Sequence, residues 1–308
     1  MRRALAAAVA MAALIAWIVA GALGTEPREA RAQSPTPTVE IRRTQRASFL
    51  PALGPSRPFF VLAIGSDARP GVCMPVERCL ADSLHLIGVN PRKGAATVLG
   101  FPRDSWVDIP GYGTGKINES LHAGGPAKVV ETVEQLTGIP IDYYMLTSFH
   151  GLPRMVNSVG GITVNVPYDM NDAASGAFFS AGSRRLDGKE ALAFSRNRKD
   201  TPAGDFSRSE NQGLLLMAAL DELRRDVGED PVALFRWILA GTQHVHTDLS
   251  FAEVFDLMLT AVSIDPDLVT NCVVPGTLGF AGAASIVVIT AAAEDIYRDM
   301  ARDGLARC

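Results

Sequence analysis

The residues with the clearest chemical potential lie in the sequence RNRKDTPAGDFSRSENQ, where basic and acidic side chains precede an apolar helix. Arg196 and Arg198 fall in a predicted loop, and a predicted helix begins at Asp205. At about 100° per residue, Asp205, Arg208 and Gln212 share one face of the first helical turns. Because two of these side chains are charged and one is an amide, we do not expect this face to lie in the core.

The start of this helix suits an anion. Free N–H groups and the positive end of the helix dipole favour negative charge there, and guanidinium groups match phosphoryl oxygens. The stretch therefore indicates a phosphate or pyrophosphate site. A solvated loop with surface ion pairs is the alternative that this stretch alone leaves open.

Three further polar motifs stand at the ends of predicted strands: GSDAR (residues 65–69), ADS (residues 81–83) and FPRD (residues 101–104). Loops at strand ends are where α/β folds build their sites. If the motifs converge, the chemistry that they suit is phosphoryl transfer. Arginines neutralise phosphate charge in that reaction, while carboxylates hold Mg²⁺ or accept a hydroxyl proton.

The elements that must position these motifs alternate irregularly along the chain. Continuous apolar runs predict strands, with an antiparallel hairpin among them, at residues 58–67, 83–89, 95–101, 143–149, 162–166, 269–274 and 285–289. Apolar spacing of the helical period predicts helices at residues 126–136, 151–159, 186–195, 205–225, 230–243, 250–263 and 291–302. This order predicts a three-layer α/β/α domain with a central mixed β-sheet.

The N-terminal segment reads as an export signal. Arg2 and Arg3 precede an uninterrupted apolar run over residues 4–24, long enough to span a bilayer, and the sequence Ala-Arg-Ala at residues 30–32 resembles a cleavage site. We predict a signal peptide or signal anchor at residues 1–32, a flexible linker at 33–57 and one catalytic domain at 58–308. The domain is then expected outside the cytoplasmic membrane, held to it by the N-terminal segment if that is retained.

The net charge and the cysteines of the chain indicate which partners and which disulfides to expect. The chain carries a formal net charge of −4, which disfavours a generic nucleic-acid binder. Its four cysteines include Cys73 and Cys79 in one short loop, and export permits disulfides. A local bridge there would leave Cys272 to pair with Cys308, although four cysteines allow three connectivities. We expect a monomer.

The motifs resemble, in order and approximate spacing, those of the LytR-CpsA-Psr family: GSDAR, LADS, FPRD, KIN, a diglycine, LDG, RNR and DFSRSENQ, together spanning residues 58–226. The resemblance implies an extracytoplasmic, membrane-anchored phosphotransferase of bacterial envelopes. Such enzymes move a glycan from a polyprenyl-pyrophosphate carrier to a cell-wall acceptor, usually a peptidoglycan hydroxyl. The fold that it implies is a mixed sheet between helices.

The resemblance also implies roles for individual residues. Asp67 and Asp82 correspond to the Mg²⁺-associated carboxylates, and with Arg103 they form the implied catalytic set. The implied pyrophosphate ligands are Arg69, Arg103, Arg196, Arg198 and Arg208, with Gln212 helping to orient them. On this basis, replacing Arg198 or Arg208 with Ala should weaken ligand binding at least tenfold with little change in melting temperature.

Two positions depart from the family pattern, because Leu80 and Asn211 stand where the family commonly has arginine. The missing cations favour one alternative, an exported protein that binds a polyprenyl-linked glycan without turnover. A second alternative is a polyprenyl-pyrophosphate hydrolase that uses the same site with water in place of the sugar hydroxyl.

Overall fold

The computed structural model describes residues 57–199, 201 and 203–308. The predicted export segment (1–32) and all of the predicted linker except Arg57 lie outside these residues. Within the described part, no helix is both long enough and apolar enough to cross a bilayer.

A six-stranded mixed sheet forms the centre of the domain, in the strand order β11-β6-β1-β2-β3-β12. Strand β1 is antiparallel to β2 and parallel to β6, while β3 is antiparallel to β2 and parallel to β12. The predicted mixed sheet and its β2–β3 hairpin are thus confirmed. The six strands are β1 (Phe59–Ser66), β2 (Ala81–Asn90), β3 (Ala95–Gly100), β6 (Tyr143–Ser148), β11 (His246–Thr247) and β12 (Val269–Val273).

Seven α-helices in the described residues accompany the sheet. They are α1 (Glu119–Thr137), α2 (Gly151–Ser158), α3 (Gly188–Arg196), α4 (Asp205–Glu229), α5 (Ala233–His244), α6 (Phe251–Ser263) and α7 (Ala292–Asp303). Short 3₁₀ turns lie at Val76–Arg78 and Pro266–Leu268.

Both faces of the sheet are covered, because the alternating side chains of β1 enter two separate cores. Phe60, Leu62 and Ile64 pack with residues of α1 and α7 on one face. Phe59 and Val61 pack on the other face with residues of α4 and α6. The arrangement is the predicted three-layer α/β/α sandwich.

Local signals set the helix boundaries. Asp187 caps α3 through a reciprocal pair of hydrogen bonds with Glu190, as its position before Gly188 predicts. Helix α1 has two helical segments on either side of a non-helical kink at Gly124 and Gly125. The second begins near Pro126 as predicted, and the first, from Glu119, was not predicted.

Four two-stranded sheets accompany the main sheet in the described residues, and most of their strands were not predicted. They are β4 (Trp106–Ile109) with β5 (Gly113–Lys116), β7 (Ile162–Val166) with β10 (Gly182–Leu186), β8 (Met170–Asp172) with β9 (Ala177–Phe179), and β13 (Gly276–Ala281) with β14 (Ala284–Ile289). Of these strands, only β7 and β14 were predicted. The others are short or polar, so they lack a continuous apolar run.

Both expected disulfides are present. Cys73 is bonded to Cys79, and Cys272 is bonded to Cys308. The first closes the short loop between β1 and β2, and the second ties the C-terminus to β12.

Candidate active site

One edge of the main sheet gathers the polar motifs. Ser66, the last residue of β1, pairs with Ala81 at the start of β2 and with Ser148 at the end of β6. Gly100, the last residue of β3, pairs with His85 of β2. The loops that follow β1, β3 and β6 therefore leave the sheet at the edge where β2 begins. The convergence that the sequence analysis only inferred is present in the structure.

A β-bulge presents Asp82 at this edge. The pairing of β1 with β2 shifts register between Gly65 and Ser66, which leaves Asp82 as the extra residue of β2. Asp67 lies just beyond the bulge, and its Oδ1 accepts a hydrogen bond of 2.9 Å from the backbone N–H of Leu80. The two carboxylates therefore flank the same irregularity of the sheet.

The Arg103 side chain is held by carboxylates around it. One of its terminal nitrogens forms an ion pair with Asp82, and Asp104 lies 3.9 Å from its Nε. Burial acts to lower the pKa of Arg103, but attraction to Asp82, Asp104 and Asp205 raises it overall. The buried Nε has no hydrogen-bond partner among the described residues.

The start of α4 contributes a second, deeply buried ion pair. Arg208 is only 4% exposed and pairs with Asp205, one turn earlier on the helix. Burial lowers the pKa of Arg208, although the charge of Asp205 opposes this shift. The expectation that this face lies outside the core is wrong. A charged group is tolerated in the interior when an opposite charge meets it, as happens here.

Gln212 joins three elements of the site. Its side-chain nitrogen donates hydrogen bonds to the backbone carbonyls of Asp82 (3.2 Å) and Ser195 (3.0 Å). Helix α4 is thereby fixed to the first residues of β2 and to the end of α3. Neither contact is to an arginine, so the role of Gln212 in orienting the arginines stays a prediction.

Two glycines allow α4 to lie this close to the sheet. A Cβ atom on Gly100 would come within 2.4 Å of the Ser209 hydroxyl, and one on Gly213 would come within 1.9 Å of the Asn271 side chain. Neither separation is sterically possible. The absence of side chains at these two positions therefore sets the distance between the helix and the sheet edge.

Phe149, immediately after β6, supports two arginines at once. The guanidinium carbons of Arg69 and Arg196 lie 5.6 Å and 4.6 Å from the centre of its ring. Cations are attracted to the face of an aromatic ring at such distances. Burial lowers the pKa of Arg196; the charge of Asp82 opposes this shift, while those of Arg69 and Arg103 add to it. No sequence motif indicates this contact of Phe149.

The site carries positive charge that its own carboxylates do not offset. Arg103 and Arg208 have acidic partners, and Lys116 forms a 3.0 Å ion pair with Asp104. By contrast, three arginines have no acidic partner within ion-pair distance in the described part of the chain: Arg69, Arg196 and Arg198. Such a cluster is suited to an anion with several charges.

Arg198 is held through its backbone by a residue that the sequence analysis missed. The carboxylate of Asp172, in β8, accepts hydrogen bonds from the backbone N–H groups of Arg198 (3.4 Å) and Lys199 (3.5 Å). Burial acts to raise the pKa of Asp172, but backbone hydrogen bonds, led by that from Ala174, lower it overall. No motif marks Asp172, because its role depends on a short hairpin.

A pocket of about 270 Å³ opens beside this cluster, between the FPRD loop, the start of α4 and the β13–β14 hairpin. One side is polar and the other is apolar. The lining residues are Asp104, Arg198, Lys199, Gly204, Asp205, Leu278, Ser285, Ile286 and Val287.

The two positions that depart from the family pattern have structural partners. The Leu80 carbonyl accepts a hydrogen bond from the Asp67 backbone N–H, and the Leu80 N–H donates to the Asp67 side-chain Oδ1. Asn211 is buried and donates a hydrogen bond of 3.1 Å to the hydroxyl of Tyr168. Neither side chain supplies a cation to the site.

The carboxylates match a Mg²⁺ site of one particular kind. Asp67 and Asp82 each use Oδ1 in a contact within the protein, and the second oxygen of each has no hydrogen-bond partner among the described residues. Within the described ranges, the one group of three possible ligand residues is Asp67 with Cys73 and Cys79, and these two cysteines are bonded to each other. Mg²⁺ commonly binds through one or two carboxylates and completes its shell with water and substrate phosphate. The donor set fits that mode.

Comparison with known proteins places this geometry in context. The model of the LytR_cpsA_psr family matches residues 28–301. The polyisoprenyl-teichoic acid–peptidoglycan teichoic acid transferase TagU of Enterococcus faecalis is 34% identical over 209 residues, covering 67% of each chain. The enzyme of the same description named TagV, from Bacillus subtilis, is 36% identical over 177 residues, which cover 54% of this chain but only 44% of TagV.

The crystal structure of Bacillus subtilis TagV has the same architecture. It aligns with a TM-score of 0.67 at 27% identity, covering 80% of this chain and 96% of that one. The fold is thus that of a solved structure with a mixed sheet between helices. The family match extends over most of the sequence, and the chain belongs to the LytR-CpsA-Psr family.

His85 lies beneath the candidate site, and its protonation affects the stability of the folded protein. The imidazole is wholly buried, its Nε2 donates to the Ser209 carbonyl (3.0 Å), and its Nδ1 accepts from the Ser83 hydroxyl (3.2 Å). Burial lowers the pKa of His85 to about 4, although the bond to Ser209 opposes the shift. The ring is therefore neutral at pH 7.

This pKa predicts a loss of stability in acid. Between pH 6.5 and about 4 the unfolded chain binds a proton at His85 that the folded protein excludes, so the free energy of unfolding falls as the pH falls. The loss is about 1.4 kcal/mol per pH unit. Between pH 6.5 and 4.5, the free energy of unfolding measured in urea should fall by about 2–3 kcal/mol more for the parent than for His85→Gln. Equal losses in the two proteins would contradict this account of His85.

Proposed function

We propose that this protein is an extracytoplasmic phosphotransferase that moves a glycopolymer from a polyprenyl-pyrophosphate carrier to a peptidoglycan acceptor. The observation that carries the proposal is a set of arginines without acidic partners in the described residues. Arg69 and Arg196 lie against Phe149 near Asp82 and Arg103, and Arg198 lines the pocket with Asp104 and Asp205. The activity for which the relatives TagU and TagV are named, teichoic acid transfer to peptidoglycan, supports the same reaction class.

The reaction is a displacement at phosphorus. The acceptor hydroxyl attacks the phosphorus atom that carries the glycan, and a new phosphodiester joins the glycan to the acceptor. The bond from that phosphorus to the bridging oxygen of the pyrophosphate breaks, so polyprenyl phosphate leaves with the oxygen. The hydroxyl proton passes to Asp67 or Asp82.

The arginines contribute electrostatic stabilisation and position. Arg69, Arg196 and Arg198 bind the pyrophosphate oxygens, and Arg103 donates through its free Nε to the reacting phosphate. Since the guanidinium groups are held in place before the substrate arrives, little reorganisation is needed as charge develops on the leaving phosphate. Arg208, paired with Asp205, adds charge at the start of α4, while Gln212 orients the helix.

A Mg²⁺ ion would be held by Asp67 and Asp82 together with substrate phosphate. When bound, it would neutralise phosphate charge and favour attack by the hydroxyl. The protein is proposed to act as a monomer, tethered to the outer face of the cytoplasmic membrane by its N-terminal segment, in the cell envelope of a bacterium.

The transfer reaction predicts a requirement for Asp82. Full-length protein in detergent, given a polyprenyl-pyrophosphate-linked glycan, a peptidoglycan oligomer and Mg²⁺, should release polyprenyl phosphate and form an acceptor-linked product. Asp82→Asn should lower this rate by about 100-fold or more, because it removes a base or metal ligand. Asp108→Asn, which changes an exposed carboxylate of β4, is the matched control and should leave the rate unchanged. Mass spectrometry of both products provides the measurement.

The same assay separates the alternatives. Release of polyprenyl phosphate without an acceptor would indicate a hydrolase. Binding of the donor without release would indicate the binding protein that the missing arginines at Leu80 and Asn211 favour. Full activity of parent and Asp82→Asn in EDTA would contradict the metal assignment.

Alanine variants of Arg198 and Arg208 should both weaken ligand binding but should differ in their effect on stability. Loss of either charge-assisted contact is worth about 1.5–3 kcal/mol, so Arg198→Ala and Arg208→Ala should each weaken binding of a polyprenyl pyrophosphate at least tenfold. Arg208→Ala should also lower the melting temperature, because it leaves the buried Asp205 carboxylate unpaired. This burial revises the sequence-based expectation of an unchanged melting temperature for that variant.

The matched control is Arg298→Ala, which removes an exposed arginine paired with Asp295 on α7. It should change neither binding in titration calorimetry nor the melting temperature. If Arg198→Ala and Arg208→Ala each lowered the binding affinity by less than threefold, a pyrophosphate-binding role for these arginines would be contradicted.

A further inference from the structure

The β13–β14 hairpin has an unusual surface. Residues 275–293 contain no charged side chain. Phe280 and Leu278 are 79% and 73% exposed, the highest values for large apolar residues in the described part of the chain. An exposed hairpin that bears such side chains indicates a contact surface for an apolar partner.

The hairpin is attached directly to the candidate active site. The backbone N–H of Val287 donates to the Asp104 carbonyl at 2.8 Å. Leu278 lies in the wall of the same pocket as Arg198 and Lys199. The apolar tip is therefore continuous with a cationic surface.

A second exposed apolar segment adjoins the site from the loop after β1. Val72 and Met74 are both well exposed, and they flank Cys73 in the loop that its disulfide closes. This loop follows Arg69, whose backbone pairs with that of Cys73. Apolar side chains thus accompany the arginine cluster near Arg69 as well as near Arg198.

The partner that fits this combination is a lipid bilayer. Arg198 and Lys199 have no acidic partner among the described residues, so they complement anionic headgroups beside an inserted apolar tip. A second copy of the chain fits less well. Of the four exposed apolar side chains only Phe280 is aromatic and none is fully exposed, so together they fall short of the roughly 800 Å² per partner of a stable interface.

We propose that the β13–β14 hairpin inserts its tip, led by Phe280 and Leu278, into the bilayer surface and holds the arginine cluster against the headgroups. The inference rests on the proposed function, because a polyprenyl pyrophosphate presents its phosphates at that surface. Insertion brings the cationic pocket to the depth at which the carrier's pyrophosphate lies.

Insertion can be measured without turnover. Full-length Phe280→Trp is reconstituted into phosphatidylcholine–phosphatidylglycerol vesicles, with or without shallow brominated phosphatidylcholine. Subtracting the parent spectrum gives the emission of the introduced tryptophan. This emission should shift to the blue in vesicles, and it should fall by at least half when the brominated lipid is present. The matched control is Phe251→Trp. Phe251 is 60% exposed and follows β11, whereas the hairpin follows β12, and these two strands form the opposite edges of the main sheet. The emission of the tryptophan introduced at this position should not be quenched.

Equal quenching of the two variants, or none in either, would overturn the proposal. So would a dimer in detergent that Phe280→Ser abolishes. The transfer assay provides a second measurement. With a long-chain donor in vesicles, the transfer rate of Phe280→Ser should be at least tenfold below that of the parent. With a short-chain donor in solution, the two rates should be equal. If the parent shows no transfer, the proposed function fails, whereas bromolipid quenching still decides the membrane contact.

Discussion

The constraint on which this site depends is the crowding of arginine charge at one edge of the sheet. Burial lowers the pKa of Arg196, and the charges of Arg69 and Arg103 act in the same direction, whereas the charge of Asp82 opposes them. Repulsion of this kind would separate flexible side chains. Here the Phe149 ring lies beneath Arg69 and Arg196, and Asp82 holds Arg103. The folded protein therefore maintains a concentration of positive charge that a polyanionic ligand would relieve.

The rest of the fold serves this arrangement. Strands β1, β3 and β6 end at the edge where β2 begins, so distant parts of the sequence deliver their loops to one place. Gly100 and Gly213 let α4 approach the sheet closely enough for Gln212 to bond to the backbone of Asp82. Buried polar contacts are costly to leave unsatisfied, so each of these bonds also restricts the position of the helix.

Sequence reasoning succeeded where the pattern is long or local. The apolar run of β1 predicts a buried strand, and Asp187 before Gly188 predicts a helix cap; both are present. It failed where burial depends on distant partners. Nothing near Arg208 in sequence shows that its helical face is covered, and Asp172 supports Arg198 only through the short β8–β9 hairpin. The roles of Asp67, Asp82 and the arginines came from their motifs, and the structure adds their proximity.

The most direct measurement is a crystal structure of the protein with a short-chain polyprenyl pyrophosphate. The account predicts that the two phosphates lie within hydrogen-bond distance, about 3 Å, of at least two of the unpaired arginines, Arg69, Arg196 and Arg198, and of the Arg103 Nε. A pyrophosphate bound elsewhere, with those three guanidinium groups free of ligand, would contradict it.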